Sequence, residues 1–186
     1  DAQTGTIAIG KMSLNALTTG TGNIAVGYQA LSTHTTGANN IAIGYGAMDD
    51  TDAGSNSLGS AHNTFIGSDA GGGTWTDVAS RFNVGIGNYV MDAAMDGADY
   101  NVSVGYASLS ALTTGDNNTV MGNLAAYALT GGGSNVVIGA AAGDAMTTTS
   151  STVLIGVSAG TAINSADANG TIAIGFQAGV NITEAV

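Results

Sequence analysis

The sequence predicts an all-β protein, a parallel β-solenoid or β-roll of about ten coils that spans residues 1–186 as a single repeat domain. One observation is a recurring motif, an Asn or Thr followed by three strand-forming residues and a Gly. The closing glycines of this motif are Gly10, Gly27, Gly44, Gly67, Gly87, Gly105, Gly122, Gly139, Gly156 and Gly175. Another is their spacing, which is 17 residues in five of nine intervals and never exceeds 23. A fixed period along a whole chain indicates an array of small stacked units.

Composition agrees with this fold class. The chain has 30 glycines and no proline, which suits tight turns that keep every backbone donor available for a ladder. A hydrophobic content of 44% excludes an intrinsically disordered chain.

The first three coils are the most regular, with the strand motifs Ile7–Gly10, Ile24–Gly27 and Ile41–Gly44. Alternation places the first and third strand residues on one face and the middle residue on the other. Small or polar residues, an apolar residue and a Thr-Thr-Gly turn follow. We expect two short strands, two turns and no helix in each coil.

The central coils carry irregular insertions near residues 49–62 and 71–82. Insertions in a solenoid become loops at one edge, and such loops often carry function. The regular pattern resumes at Asn83 and continues to Gly175.

Both faces of the strand motif are apolar. Its middle residue changes from Ala25 and Ala42 to Phe65, Val137 and Leu154 along the chain. A strand that is apolar on both faces is normally buried on both. One face would fill the coil and the other would meet another copy, so we expect a homo-oligomer. Stability should come from the backbone ladder and from a column of Ile, Val and Leu repeated in each coil.

The first and last coils are nearly identical, since Gly5–Gly10 matches Gly170–Gly175. Terminal coils of a free solenoid usually depart from the consensus to protect exposed edges. We therefore expect either a piece of a longer protein or ends that stack on neighbouring copies.

An Asn opens the strand motif in seven coils. These residues are Asn23, Asn40, Asn63, Asn83, Asn101, Asn118 and Asn135. Asn at one phase could form a stacked amide ladder, in which each side chain bonds the next. Alternatively, each Asn serves as a turn residue that tolerates left-handed backbone.

Charge and hydropathy exclude several partners. The net charge is −11, and Lys11 and Arg81 are the only strong bases, so nucleic acid is not expected to bind. The longest apolar stretches fall short of the roughly 18 residues that span a bilayer, so membrane insertion is not expected. The absence of cysteine excludes a disulfide framework.

Motifs typical of catalysis are weak. Gly156–Gly160 matches the G-x-S-x-G nucleophile motif around Ser158, but His34 and His62, the only histidines, both precede it. Ser158 also occupies the repeat position of Gln29. We expect no catalytic residue and no enzyme activity, and we expect both histidines to be solvated turn residues.

Two acidic groups are candidates for calcium. Asp49, Asp50 and Asp52 resemble half of a calcium loop, and Asp92, Asp96 and Asp99 form a second group. The distal Glu of a complete loop is missing, since Glu184 is the only glutamate. Solvated loop acids and no cofactor are the default expectation.

Aromatic and threonine residues offer two further alternatives. Trp75, Tyr89 and Tyr100 could stack on sugar rings if exposed, or plug irregular coils if buried; packing is the preferred interpretation. The Thr-Thr-Gly turns could stack into rows that order water and bind ice, although segments such as Asp96-Gly97 interrupt such rows.

The segment Asn23–Leu31, followed by Thr35-Thr36-Gly37, resembles the repeats of phage tail-fibre and bacterial fibre proteins. With a longer turn, it is also similar to the head repeats of trimeric autotransporter adhesins, in which a Val-Ala-Ile-Gly motif recurs once per coil. The resemblance covers nearly all of the chain and is weakest between Asp49 and Arg81. It implies a left-handed parallel β-roll assembled as a trimer, with apolar residues filling each roll and the seams between chains.

These observations together predict a structural and attachment protein, part of a fibre located extracellularly, on a cell surface or on a virion. Its partners would be itself, as a homotrimer or stacked end to end, and a host-surface glycan or protein receptor. The alternatives are a filament subunit that polymerises through its terminal coils, and a solenoid that binds glycans or ice.

Overall fold

The computed structural model describes residues 4–51, 59–75, 78–164 and 168–182. In these residues ten three-residue strands form one parallel sheet in chain order. Residues at the same motif position pair across neighbouring strands, as Ile24 does with Ile41. The strands are β1 (Ile7–Ile9), β2 (Ile24–Val26), β3 (Ile41–Ile43), β4 (Thr64–Ile66), β5 (Val84–Ile86), β6 (Val102–Val104), β7 (Thr119–Met121), β8 (Val136–Ile138), β9 (Val153–Ile155) and β10 (Ile172–Ile174). The predicted all-β parallel solenoid is confirmed.

Each described coil contains one strand, so the prediction of two strands per coil is wrong. The reason is the backbone after the closing glycine, where two residues per coil adopt left-handed conformations that a strand does not allow. In the second coil these residues are Gln29 and Leu31, with φ of 57° and 52°. The turns nevertheless stack like strands, because Gln29 N–H donates to Lys11 O and Leu31 N–H donates to Ala47 O, both at 3.0 Å.

The middle residue of each strand from β2 to β10 points into the coil. Ala25, Phe65 and Leu154 are buried there, opposite apolar turn residues such as Leu31 and Leu129. The first and third strand residues point outward, so Ile and Val line the surface instead of the core. The expected Ile/Val/Leu column is therefore divided between the interior and an outer face.

The closing glycines are required by close approach between coils. Gly27 has a φ of +140°, and a Cβ on it would lie 2.1 Å from the carbonyl oxygen of Gly44. A side chain at this position would meet the backbone of the next coil, which cannot move aside without breaking the ladder. This contact explains why glycine recurs at this point of the repeat.

The amide ladder predicted from the Asn residues is confirmed. Oδ1 of Asn40 accepts hydrogen bonds from the backbone N–H and from Nδ2 of Asn63, at 3.0 and 3.2 Å. Nδ2 of Asn63 also donates to the carbonyl of Ser80. The same pattern continues through the buried Asn residues to Thr152. The left-handed residue is the one before each ladder residue, for example Asn39.

The irregular coils hold the largest buried side chains. Trp75 is buried and meets the ring of Phe65 edge to face, with ring centroids 6.1 Å apart. The Phe65 ring occupies the space that a Cβ on Gly71 or Gly85 would need. Parts of both predicted insertions, residues 52–58 and 76–77, lie outside the described residues.

Candidate functional site

The first candidate surface is the outer strand face, which we define as the first and third residues of β1 to β10. All of these residues are apolar except Thr64 and Thr119. Ile9 and Ile174 near the two ends are 59% and 65% exposed, and Ile86 in the middle is also exposed. Ten strands about 4.8 Å apart and about 10 Å long give this face a projected area on the order of 430 Å².

The second candidate surface is a groove of about 470 Å³ among the residues that follow four successive closing glycines. Tyr89, Tyr106 and Tyr127 line it, and these side chains are 40%, 52% and 46% exposed. The remaining lining residues are Asp92, Ala107, Ser110, Leu124 and Asp144. We call this feature the tyrosine groove.

Local backbone conformation shapes the tyrosine groove. Tyr89, Ala107 and Leu124 are the second residues after their closing glycines, and all three have positive φ. A tyrosine therefore projects in the first coil, while smaller side chains at the same position in the next two coils leave space. The rings of Tyr89 and Tyr106 meet edge to face, with centroids 5.8 Å apart and an angle of 80° between the planes.

The polar groups of the groove come from another column of the repeat. Asp92, Ser110, Tyr127 and Asp144 are each the fifth residue after a closing glycine. The Ser110 hydroxyl donates a hydrogen bond to Oδ1 of Asp92 at 2.5 Å. Burial raises the pKa of Asp92 above its ordinary value, and the hydrogen bond from Ser110 opposes that increase.

Tyr89 and Asp92 were predicted from the sequence as candidate site residues, but their partners Tyr106, Tyr127 and Asp144 were not. Their positions in the repeat could have identified them, because residues at the same distance from the closing glycine stack in one column. Residues 14 to 52 positions from Asp92 in the sequence are brought to one groove in this way.

The first predicted calcium group is only partly described, because Asp52 lies outside the described residues. Burial, together with the charges of Asp50 and Asp69, raises the pKa of Asp49 to about 6. Asp50 accepts a hydrogen bond from the Thr74 hydroxyl at 2.6 Å. Among the described residues, no three His, Cys, Asp or Glu side chains are arranged to hold a metal ion.

The three acids of the second predicted calcium group make separate contacts. Asp96 accepts from the backbone N–H of Val78 at 2.8 Å, and Asp99 accepts from that of Arg81 at 2.6 Å. These carboxylates link neighbouring coils, whereas Asp92 lines the groove. Calcium binding by either group stays a prediction.

The prediction that both histidines are solvated is wrong for His34, which is fully buried. Its Nε2 lies 3.0 Å from the carbonyl oxygen of Gly37, and its Nδ1 lies 3.0 Å from the Thr51 hydroxyl. Nε2 also lies 3.1 Å from Nδ2 of Asn40, so both ring nitrogens have polar neighbours inside the coil. His62 is exposed and stacks on Phe82, with centroids 5.0 Å apart.

Ser158 lies in a turn, with a φ of 55°, and its backbone N–H donates to the carbonyl of Ala140. The turn following Ser158 leads into further turn residues and not into the helix that a nucleophile elbow requires. Ser158 therefore occupies the same turn position in its coil as Gln29 does in the second coil, as the repeat predicts.

The three predicted aromatic residues have different environments. Trp75 packs in the interior, as preferred, whereas Tyr89 and Tyr100 are exposed. Tyr100 continues a surface stack with Phe82, with ring centroids 5.0 Å apart.

The threonines in the turns bond within the fold. The hydroxyls of Thr18, Thr113 and Thr130 each donate to a carbonyl in the next coil at 2.9 to 3.0 Å. These contacts give the Thr rows a structural role between coils. Ice binding stays a prediction, and no contact of these hydroxyls favours it.

No family model, curated protein or solved structure matches this chain. No helix in the described part of the chain has the length and apolar character needed to cross a membrane. The structure defines this chain as a β-solenoid repeat protein. The proposals about its function depend on the outer strand face and the tyrosine groove.

Proposed function

We propose that this chain is a non-enzymatic structural and attachment protein, part of an extracellular, cell-surface or virion fibre that contacts a host or another surface. The observation that carries the proposal is the outer strand face, a continuous apolar strip along a regular column. Exposed apolar patches of several hundred Å² mark interaction sites on soluble proteins. A fibre is the assembly that a column of stacked coils forms most directly when its side associates with further copies.

The outer strand face contributes about 430 Å² per copy whether two or three copies meet. Two copies packed face to face would therefore bury roughly 860 Å² in total, below the ~1,200 Å² of stable interfaces, so residues beside the strands must also take part. The homotrimer in this proposal comes from the resemblance to adhesin heads, which also implies a left-handed coil.

The charge of the chain limits its other partners. With a net charge of −11 it repels nucleic acid and other polyanions. A neutral or basic receptor, either a host-surface glycan or a protein, is compatible with this surface. We propose no reaction, because the Thr51 hydroxyl and His34, which bond each other, are both fully buried, and the Ser110 hydroxyl bonds the Asp92 carboxylate in an open groove.

The terminal coils support a second candidate, a filament subunit that stacks end to end. In the described residues β1 and β10 each pair with one neighbouring strand, and Ile7, Ile9, Ile172 and Ile174 are exposed. The two strands have the same sequence, Ile-Ala-Ile, so one could continue the other between copies.

Analytical ultracentrifugation and electron microscopy of the purified chain test both candidates. We expect a discrete trimer and short rods for side-by-side assembly, and threads of variable length for end-to-end stacking. The double variant Ile86→Lys/Ile138→Lys should dissociate the trimer to monomers with an unchanged circular dichroism spectrum, because buried unpaired charges are costly.

The matched control is the double variant Val78→Lys/Val157→Lys, which places the same two charges on exposed apolar residues outside the strands. It should leave the trimer intact. A monomeric parent chain, or a trimer that survives the double substitution, would contradict assembly through the outer strand face.

A further inference from the structure

We propose that the tyrosine groove binds an uncharged oligosaccharide chain that lies along the axis of the solenoid. This inference rests on the proposed attachment role, to which it adds a binding site and a ligand class. The four coils that follow Gly87, Gly105, Gly122 and Gly139 would form the binding surface.

The dimensions of the groove suit an elongated ligand. Its volume of about 470 Å³ lies within the range of small-molecule sites. Asp92 and Asp144 lie in one column of the repeat and are separated by three coil steps, or roughly 14 Å. A compact ligand such as an alkylammonium ion cannot reach both carboxylates, whereas a chain of several sugar rings can.

The chemistry of the lining matches a sugar. A pyranose ring has apolar C–H faces and hydroxyls at its edge, so it needs flat apolar surfaces with acceptors beside them. Tyr89, Tyr106 and Tyr127 supply partly exposed rings, and each tyrosine hydroxyl can donate or accept a hydrogen bond. Asp92 and Asp144 supply acceptors for ligand hydroxyls at opposite ends of the groove.

The charge of the groove determines which sugars fit. Asp92 and Asp144 are its charged lining residues, and no Lys or Arg lines it. The net charge of the chain has the same sign. Sialylated, sulfated and phosphorylated glycans would therefore be repelled, and neutral chains are the expected ligands.

The test is calorimetric titration of the full chain with neutral trisaccharides of three linkage types: maltotriose, cellotriose and N,N′,N″-triacetylchitotriose. Sialyllactose and tetramethylammonium chloride serve as anionic and cationic comparison ligands. We expect at least one neutral trisaccharide to bind and neither charged ligand to do so.

The variants Tyr106→Ala and Tyr127→Ala should each weaken binding by about tenfold, which corresponds to the loss of one aromatic contact. The matched control is Tyr45→Ala. Tyr45 and Tyr106 each follow a closing glycine directly and are 58% and 52% exposed, but Tyr45 lies outside the groove. The control should bind like the parent chain.

Several results would overturn the proposal: no binding of any neutral trisaccharide, binding of sialyllactose or tetramethylammonium instead, or an equal loss in Tyr45→Ala. Sedimentation of the same samples separates this failure from that of the proposed assembly. An assembled chain that binds no sugar refutes the groove alone, and a monomer that binds sugar refutes the assembly alone. If Tyr106→Ala dissociates the copies, the groove is an interface between copies and the saccharide proposal is wrong.

Discussion

Replacing Asn101 by alanine should destabilise the solenoid more than any single exposed substitution. Asn101 is fully buried in the amide ladder. Its Oδ1 accepts from the backbone N–H and Nδ2 of Asn118, at 3.0 and 2.9 Å. Its Nδ2 donates to Oδ1 of Asn83 and to the carbonyl of Gly115, at 3.1 and 2.8 Å. Alanine removes all of these bonds.

The magnitude follows from the groups that alanine leaves without this partner. The backbone N–H of Asn118 loses its acceptor inside the protein, and the carbonyl of Gly115 loses a donor. Leaving a buried polar group unsatisfied costs about 1–3 kcal/mol. Two such groups, together with the other broken amide bonds, give an expected loss of about 4 kcal/mol in the free energy of unfolding.

Urea denaturation followed by far-ultraviolet circular dichroism measures this loss, and hydrogen exchange at the Asn118 amide localises it. In a solenoid each coil contacts only its neighbours, so the exchange should accelerate most in the coils next to Asn101. Asn101→Thr should cost less, because Thr152 already bonds Asn135 through its backbone N–H and hydroxyl, at 3.0 and 2.8 Å.

The control is Asn123→Ala, which removes an exposed amide and should change stability by no more than about 0.5 kcal/mol. If Asn101→Ala and Asn123→Ala shift the urea midpoint equally, the ladder does not stabilise the fold and the reasoning fails.

Two further predictions concern the closing glycines and Asp49. Gly105→Ala should lower the melting temperature much more than Gly175→Ala. Both glycines have φ above +130°, so the backbone strain of an alanine would be similar at the two positions. A Cβ on Gly105 would lie 2.3 Å from the carbonyl oxygen of Gly122, whereas the atom nearest to a Cβ on Gly175 would be 3.8 Å away. Equal losses would show that backbone strain, and not the close approach, requires glycine. Because the pKa of Asp49 is raised to about 6, the native state binds more protons than the unfolded state between pH ~4 and ~6. The free energy of unfolding should therefore fall as pH rises through this window and then level off. Asp49→Asn should reduce that fall and raise the melting temperature at alkaline pH without raising it below pH ~4, as thermal melts would show. Calcium held by Asp49 and Asp50 would also reduce the fall, so repeating the melts with calcium tests the expectation that no cofactor binds.

The repeating features could be predicted because each coil makes the same contacts as the next. The closing glycines, the parallel register and the amide ladder all follow from residues that recur at one phase. A contact between Asn40 and Asn63 must then repeat as a contact between Asn63 and Asn83. One period read from the sequence therefore specifies every step of the stack.

The sequence did not predict which of the two faces of each strand fills the coil. Strand alternation separates Ile24 and Val26 from Ala25, but both sets are apolar and either could fill the coil. The left-handed turn at Gln29 and Leu31 decides the matter, because it brings the chain back with Leu31 buried on the same side as Ala25. His34 was misjudged for the same reason, since a polar turn residue can lie inside the coil when its neighbours satisfy both ring nitrogens.

The sequence by itself determined that this chain is a stack of about ten parallel coils, because one period recurs along the whole chain, and it offered an amide ladder as one of two roles for the recurring Asn residues. Only the tertiary structure decided which apolar residues face outward and which side chains from separate coils share one groove. Tyr89, Tyr127 and Asp144 belong to three different coils, and they meet because stacking brings residues that are far apart in the sequence to within a few coil steps of one another.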